Sequence, residues 1–430
     1  MNIILKKFFQ NDYEIFHIPI IFFPIILVFS KFLADLIIVS YSLFFIFYKR
    51  NYIVSLIKKN IILKGLFSFF LLCLITSFFS QNIVLSISKS LSFFRFLIFP
   101  CVIIFYLMNK KIFLNKIKIL IIFLFILSLD ILYQAHFGRD ILLNQNDMHG
   151  TRNSGFFGDE MIAGGFLCLL FFPTLILVNN KHKTLLLLIL ILPTVIYFTG
   201  ERSSFLLFVL GSFIYLIFNL KTKKILSYFF SAYILLLVIS FFSEAQNSRM
   251  ISDTYFQVSK GFNKSYFKDE NFKKKLIEDT KNNERKNDIS FLNSGWGAHY
   301  LSAYSIFLEH PLFGSGIKTF RVVCNDKKYD NIKSLNYKNR CSTHPHNKYF
   351  ELLSETGLLG FFGFVIFFSS FFLTLIKMKK SFFNLNLPMI IPLIIFFWPL
   401  VPSGSIFTNY TLIILSYLIG LFLTNIKLNE

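Results

Sequence analysis

Apolar residues in this chain gather into long runs instead of alternating or recurring every third or fourth position. A helix that crosses a bilayer needs about 20 predominantly apolar residues. A window of that size places spans near 14–30, 32–48, 62–80, 90–108, 116–135, 160–178, 184–199, 203–219, 224–242, 357–376, 384–401 and 406–425. The pattern predicts an all-α polytopic membrane protein with about 12 transmembrane helices. Only Ser30-Lys31 separates the first two runs, and Pro24, Pro100, Pro173, Pro193 and Pro392 lie inside runs, where neighbouring helices can satisfy the freed backbone. One long polar stretch interrupts the series. The chain therefore divides into transmembrane helices 1–9 over residues 1–242, an external loop over 243–356, and helices 10–12 over 357–430.

Composition agrees: 55% of the 430 residues are hydrophobic and 16% charged, against about a quarter charged in soluble domains. That excludes an ordinary cytosolic enzyme. A net charge of +21 in a soluble protein suggests nucleic acid. Here the lysines cluster between apolar runs, where they report orientation, so no nucleic-acid partner is expected. With a cytosolic N-terminus, alternate short loops assign 20 Lys or Arg to the inside and six to the outside. This predicts cytoplasmic N- and C-termini and an outward-facing stretch from Ser243 to Pro345. Met1 to Gln10 is basic but the next apolar run lacks a small-residue cleavage site, so no segment is expected to be removed.

Arginine is distributed differently from lysine. Of 9 arginines only Arg50 falls in the inside set, while the other eight face outward or lie at outer depth. A guanidinium offers a planar fork of donors suited to phosphate, so the distribution points to an external anion site. Chance placement in a lysine-rich chain is the plain alternative.

Within the external loop, His310-Pro311-Leu312-Phe313-Gly314-Ser315-Gly316 reads as a helix end followed by a turn, and Lys264 to Asp288 is charged enough to be solvated. Cys73, Cys101 and Cys168 lie in spans, whereas Cys324 and Cys341 lie in the loop. In an oxidising compartment the loop pair can form a disulfide, worth about 3 kcal/mol by loop-closure entropy. The other reading is two free thiols. Next comes His344-Pro345-His346-Asn347, nine residues, and Gly357-Leu358-Leu359-Gly360 entering a span. A neutral imidazole at the outer surface can take a proton from a sugar hydroxyl. Asn347 can cap the following helix or orient the ring, and Glu355 can face an acceptor or an arginine.

His346-Asn347, nine residues and Gly357-x-x-Gly360 resembles the signature of the O-antigen ligase and polymerase superfamily, the WaaL-like and Wzy-like membrane glycosyltransferases. His310 to Gly316 is similar to that family's preceding loop element. Thr199-Gly200-Glu201-Arg202-Ser203-Ser204 resembles its Arg-bearing turn, and Arg152-Asn153-Ser154-Gly155 its earlier outer-loop pattern. The resemblance implies a GT-C-type fold with one large periplasmic loop in the bacterial inner membrane. It also implies an inverting transfer from an undecaprenyl-diphosphate-linked glycan donor. His346 would be the general base, and Arg152 and Arg202 would hold the diphosphate. For a ligase the acceptor is lipid A core; for a polymerase it is another lipid-linked glycan.

No Asp-x-Asp occurs; Asp159-Glu160 is the nearest acidic pair and His344-x-His346 lacks a third ligand, so neither a metal nor another cofactor is expected. The sequence departs from the family at Asn293 to Tyr300, which carries no arginine; Arg249, Arg321 or a protonated His299 are the candidates to replace it. Glu201 can orient Arg202, and Arg95 is either a further phosphate contact or a snorkelling side chain. Ligation is the leading reading and polymerisation the closest alternative. Behind them stand a protein O-oligosaccharyltransferase and a transporter, the latter disfavoured because the informative charges sit at one surface instead of at the midplane.

Overall fold

The structure, a computed structural model, describes residues 16–145, 150–180, 182–219, 223–261 and 286–429. The reading of Met1–Gln10, and most of that of Lys264–Asp288, lies outside the described residues. The named elements among the described residues are all helices, with no sheet, and each expected apolar run falls largely on helix.

Starts and stops follow local chemistry. Asn60, Asn82 and Asn109 cap the helices Ile61–Ser77, Ile83–Leu107 and Lys110–Phe137 by accepting backbone N–H bonds, which satisfies donors that a helix start leaves open. Gly138, in the left-handed region, ends Lys110–Phe137. Two helices form the centre of the bundle, Asn409–Asn429 and Ile83–Leu107, packed against each other and largely buried. Lys31–Tyr48 and Lys223–Phe241 lie at the periphery with apolar faces outward. Ile61–Ser77 packs along Lys348–Lys377. A Cβ on Gly65 would stand 2.9 Å from Phe367 Cα, so a small residue is what lets those two backbones approach.

Among the described residues six helices are long and apolar enough to cross a membrane, or seven if Arg50–Lys59 and Ile61–Ser77, bent by 104°, form one broken span. The expected twelve are not reached by length. Four apolar helices, Ala163–Val178, Lys183–Phe198, Arg202–Phe218 and Lys380–Phe396, are shorter than a full crossing. Ala163–Thr174 tightens into a 3-10 turn just after Pro173, and the Thr199–Gly200 turn separates Lys183–Phe198 from Arg202–Phe218.

Residues 286–356 of the long polar stretch are folded. Helix Gly295–Glu309, capped by Ser294, packs against Lys348–Lys377. Ala303, Ile306, Phe320, Cys324 and Tyr329 form a separate apolar core, with Cys341 and Phe350 against it. Cys324 and Cys341 are disulfide-bonded, with Cα atoms 5.4 Å apart. The span expected near 357–376 lies in a helix, Lys348–Lys377, that starts right after Asn347 and is broken at Gly357, where φ is 60° and ψ −164°.

Candidate active site

Asn347 accepts N–H bonds from Tyr349 and Phe350 at 3.0 and 3.2 Å, so of its two expected roles the structure gives it the cap. The residue before it, His346, has φ of 58°, a conformation that non-glycine residues seldom adopt. Its carbonyl accepts the Ser403 N–H at 2.8 Å and the Tyr300 hydroxyl at 3.4 Å. The imidazole lies among rings: Trp296 at 4.4 Å between centroids, His344 at 4.1 Å and His299 at 5.3 Å. Trp296, His299 and Tyr300 are three and four residues apart on helix Gly295–Glu309, the spacing that puts side chains on one face.

Burial, and then the neighbouring imidazoles, push His346 down to about 3. Burial, Lys318, His299 and Arg321 push His344 down to about 4. Burial also lowers His299, whose Nδ1 is 3.1 Å from the Arg340 carbonyl. With burial the main cause and the neighbouring imidazoles the lesser one, the His346 ring is neutral at neutral pH, the form that can accept a proton. Among the described residues no group of three His, Cys, Asp or Glu is arranged to hold a metal ion.

The two glycine-bearing elements interlock. At the Gly357 break, Leu358 and Leu359 donate to the Pro311 and Leu312 carbonyls at 2.8 and 3.1 Å, while Ser315 and Gly316 donate to the Ser354 and Glu355 carbonyls at 2.8 and 2.9 Å. The interrupted helix would otherwise leave these groups unbonded. Gly360 lies against the side chain of Thr356, one turn earlier. Glu355 is buried inside this interlock, its oxygens accepting the Lys318 and Phe320 N–H groups at 2.7 and 3.2 Å. The expectation that it faces an acceptor or an arginine is corrected accordingly: the turn after Gly316 presents two inward N–H groups that need a carboxylate.

A second cluster forms around the Thr199–Gly200 turn. Gly200 has φ of 68°, and a Cβ there would lie 2.8 Å from Arg249 Nε and 3.2 Å from Arg152 Cγ. Arg249, on the π-helical turn Ser248–Ser252, donates from Nε to the Gly200 carbonyl at 2.9 Å. Arg202 contacts Thr254 at 3.4 Å and is within electrostatic reach of Arg152 and Asp253. Arg152 is held through its neighbour, since Asn153 Nδ2 donates to the Phe198 carbonyl at 2.6 Å. Glu201 accepts the Gly164 and Gly165 N–H groups at 2.7 and 3.1 Å and the Ser204 hydroxyl at 2.8 Å. It thus caps helix Ala163–Thr174 while lying within reach of Arg152.

The structure sorts the three candidates for the missing loop arginine. Arg249 joins Arg152 and Arg202, while Arg321 and His299 stand beside the histidines. Arg95 pairs with Asp35 at 3.0 Å and stacks on Phe96. Segment 399–410 runs between the clusters: Ser403 bonds His346, and Tyr410 is within electrostatic reach of Glu201. Sequence reasoning missed Trp296 and Lys318. For Trp296 the available signal was its spacing to His299 and Tyr300.

Residues 185–365 match a protein-family profile described as Wzy_C, O-antigen ligase. The match contains Thr199 to Ser204, His310 to Gly316 and His346 to Gly360, and begins after Arg152. No curated protein matches the chain.

Proposed function

Because the chain carries an O-antigen ligase family domain over residues 185–365, we propose that it transfers a polysaccharide from undecaprenyl diphosphate to lipid A core. The family covers O-antigen ligases and polymerases, and the chain is a membrane glycosyltransferase-like protein. In this reading the protein lies in the bacterial inner membrane with about 12 crossings, both termini cytoplasmic and the two clusters periplasmic.

His346 takes the proton of the acceptor hydroxyl, whose oxygen attacks the anomeric carbon of the donor. The bond from that carbon to the diphosphate breaks, the anomeric configuration inverts, and undecaprenyl diphosphate leaves. Arg152, Arg202 and Arg249 receive the leaving charge through charge-assisted hydrogen bonds, a role that needs no metal ion.

The observation that supports the reading most is a neutral imidazole whose backbone is held at positive φ by the Ser403 N–H, in a chain that also gathers Arg152, Arg202 and Arg249 around the Thr199–Gly200 turn. The test is a lipopolysaccharide gel from a strain lacking the gene, with undecaprenyl-linked glycan assayed in parallel. Loss of the ladder with long polymer accumulating on the lipid carrier is the expected result. Core capped by a single repeat unit would assign polymerisation instead, and an unchanged ladder would overturn both.

A further inference from the structure

A non-glycine residue at φ of 58°, as His346 is, stays there only when its surroundings impose it. The imposing partner is distant in sequence, in the turn that joins the last two apolar helices. Along 346–351, every residue but Phe350 bonds to that turn. The His346 carbonyl accepts the Ser403 N–H, Asn347 Nδ2 donates to the Pro399 carbonyl at 3.2 Å, Lys348 Nζ donates to the Phe396 carbonyl, and the Tyr349 hydroxyl donates to the Phe397 carbonyl. Glu351 then accepts the Ile406 N–H at 2.8 Å and the Ser405 hydroxyl.

A third segment closes the arrangement. Lys318, itself at φ of 66°, donates from Nζ to Ser405 Oγ at 2.7 Å, and its backbone N–H is held by Glu355. Lys318, Ser405, Glu351 and Glu355 are all buried. Removing one partner from such a network leaves the others uncompensated, so Ser405, which joins the lysine to the carboxylate, fixes the register of the whole turn. It lies two residues from the N–H that holds His346.

Resting on the reading of His346 as the base, we infer that segment Phe396 to Ile406 is a clamp that positions His346, locked in register by Lys318, Ser405 and Glu351. These three are positioning residues: they act on His346 through the backbone. A catalytic group displaced by about 1 Å loses on the order of a hundredfold in rate, so releasing the clamp lowers turnover while leaving donor binding to the arginine cluster intact.

The test uses the full-length purified chain and the variants Ser405→Ala, Ser405→Thr and His346→Ala. Readouts are kcat, donor KM, affinity for undecaprenyl diphosphate itself, melting temperature, and the rate at which diethyl pyrocarbonate acylates His346, followed by mass spectrometry. For Ser405→Ala the expected result is a kcat lower by about ten- to a hundredfold, an altered acylation rate, and unchanged donor KM and diphosphate affinity, with Ser405→Thr restoring both. Unchanged kcat and acylation in Ser405→Ala would overturn the clamp. So would a loss of kcat matched by lost diphosphate affinity and a lower melting temperature that Ser405→Thr does not recover. Acylation requires no turnover, so it reads the clamp independently of the base assignment. An active His346→Ala variant would sink the base reading alone.

Discussion

Replacing Gly357 by alanine asks the chain to hold an L-residue at φ 60° and ψ −164°, a region essentially reserved for glycine and costing about 1–3 kcal/mol otherwise. The new Cβ would also stand 2.5 Å from Leu312 C and O and 2.6 Å from Gly314 N. These are backbone atoms tied into the interlock, so they cannot swing aside as a side-chain tip would. Overpacking of this kind typically adds about 1–3 kcal/mol, for a total of about 2–6 kcal/mol. The interlock also fixes the helix that begins at Lys348, just after the candidate base. The expected outcome is therefore a lower melting temperature of the purified protein in detergent together with reduced glycan transfer. Gly295→Ala is the control, since nothing lies within 4 Å of its added Cβ. Gly314→Ala should behave like Gly357→Ala, because its Cβ would overlap the Glu355 and Thr356 backbone. The two losses should fall short of additive, as both break one contact. Wild-type melting and transfer in Gly357→Ala would refute the reasoning.

Other outcomes follow from the same geometry. Because His346 and His344 are pushed down to about 3 and 4, both rings are already neutral above about pH 5. Transfer measured as kcat/KM should thus stay level from about pH 5 to 8 as far as these rings set it; an acid limb centred near 6.5 and absent from a His346 variant would contradict the burial argument. Arg202→Lys keeps the charge but loses the planar fork and should lower transfer about tenfold or more, whereas full activity in a purified transfer assay would reduce Arg202 to a packing role. Replacing Cys324 and Cys341 together by serine removes a cross-link across a separation of 17 residues and should cost about 3 kcal/mol. That loss should be read as a melting difference present under oxidising conditions and absent after reduction.

The apolar runs were legible in the sequence because burial in lipid demands long uninterrupted stretches, and helix falls on every one of them. Their number as full crossings was less legible. The turn after Pro173 and the Thr199–Gly200 turn leave helices too short to count by length. In the candidate site, what could be read was whatever is local: the Asn347 cap and the glycines at the helix break. What could not be read depends on pairings between distant segments. The Ser403 N–H on His346, Lys318 on Ser405 and Arg249 beside Arg152 each join residues dozens of positions apart. Glu355 was misjudged for the same reason, since its two N–H partners come from the turn after Gly316. Trp296 had a local signal in its spacing to His299 and Tyr300, but its place against the His346 ring depends on helix Gly295–Glu309 packing on a distant segment.

The central claim is that His346 is the base of a glycosyl transfer. The most direct measurement is transfer by purified wild-type and His346→Ala protein in detergent, using undecaprenyl-diphosphate-linked polysaccharide and lipid A core. The expected result is glycosylated core with the wild type and a rate lower by about 10²- to 10⁴-fold with a variant that still inserts and melts normally. Near-normal transfer by His346→Ala would contradict the account.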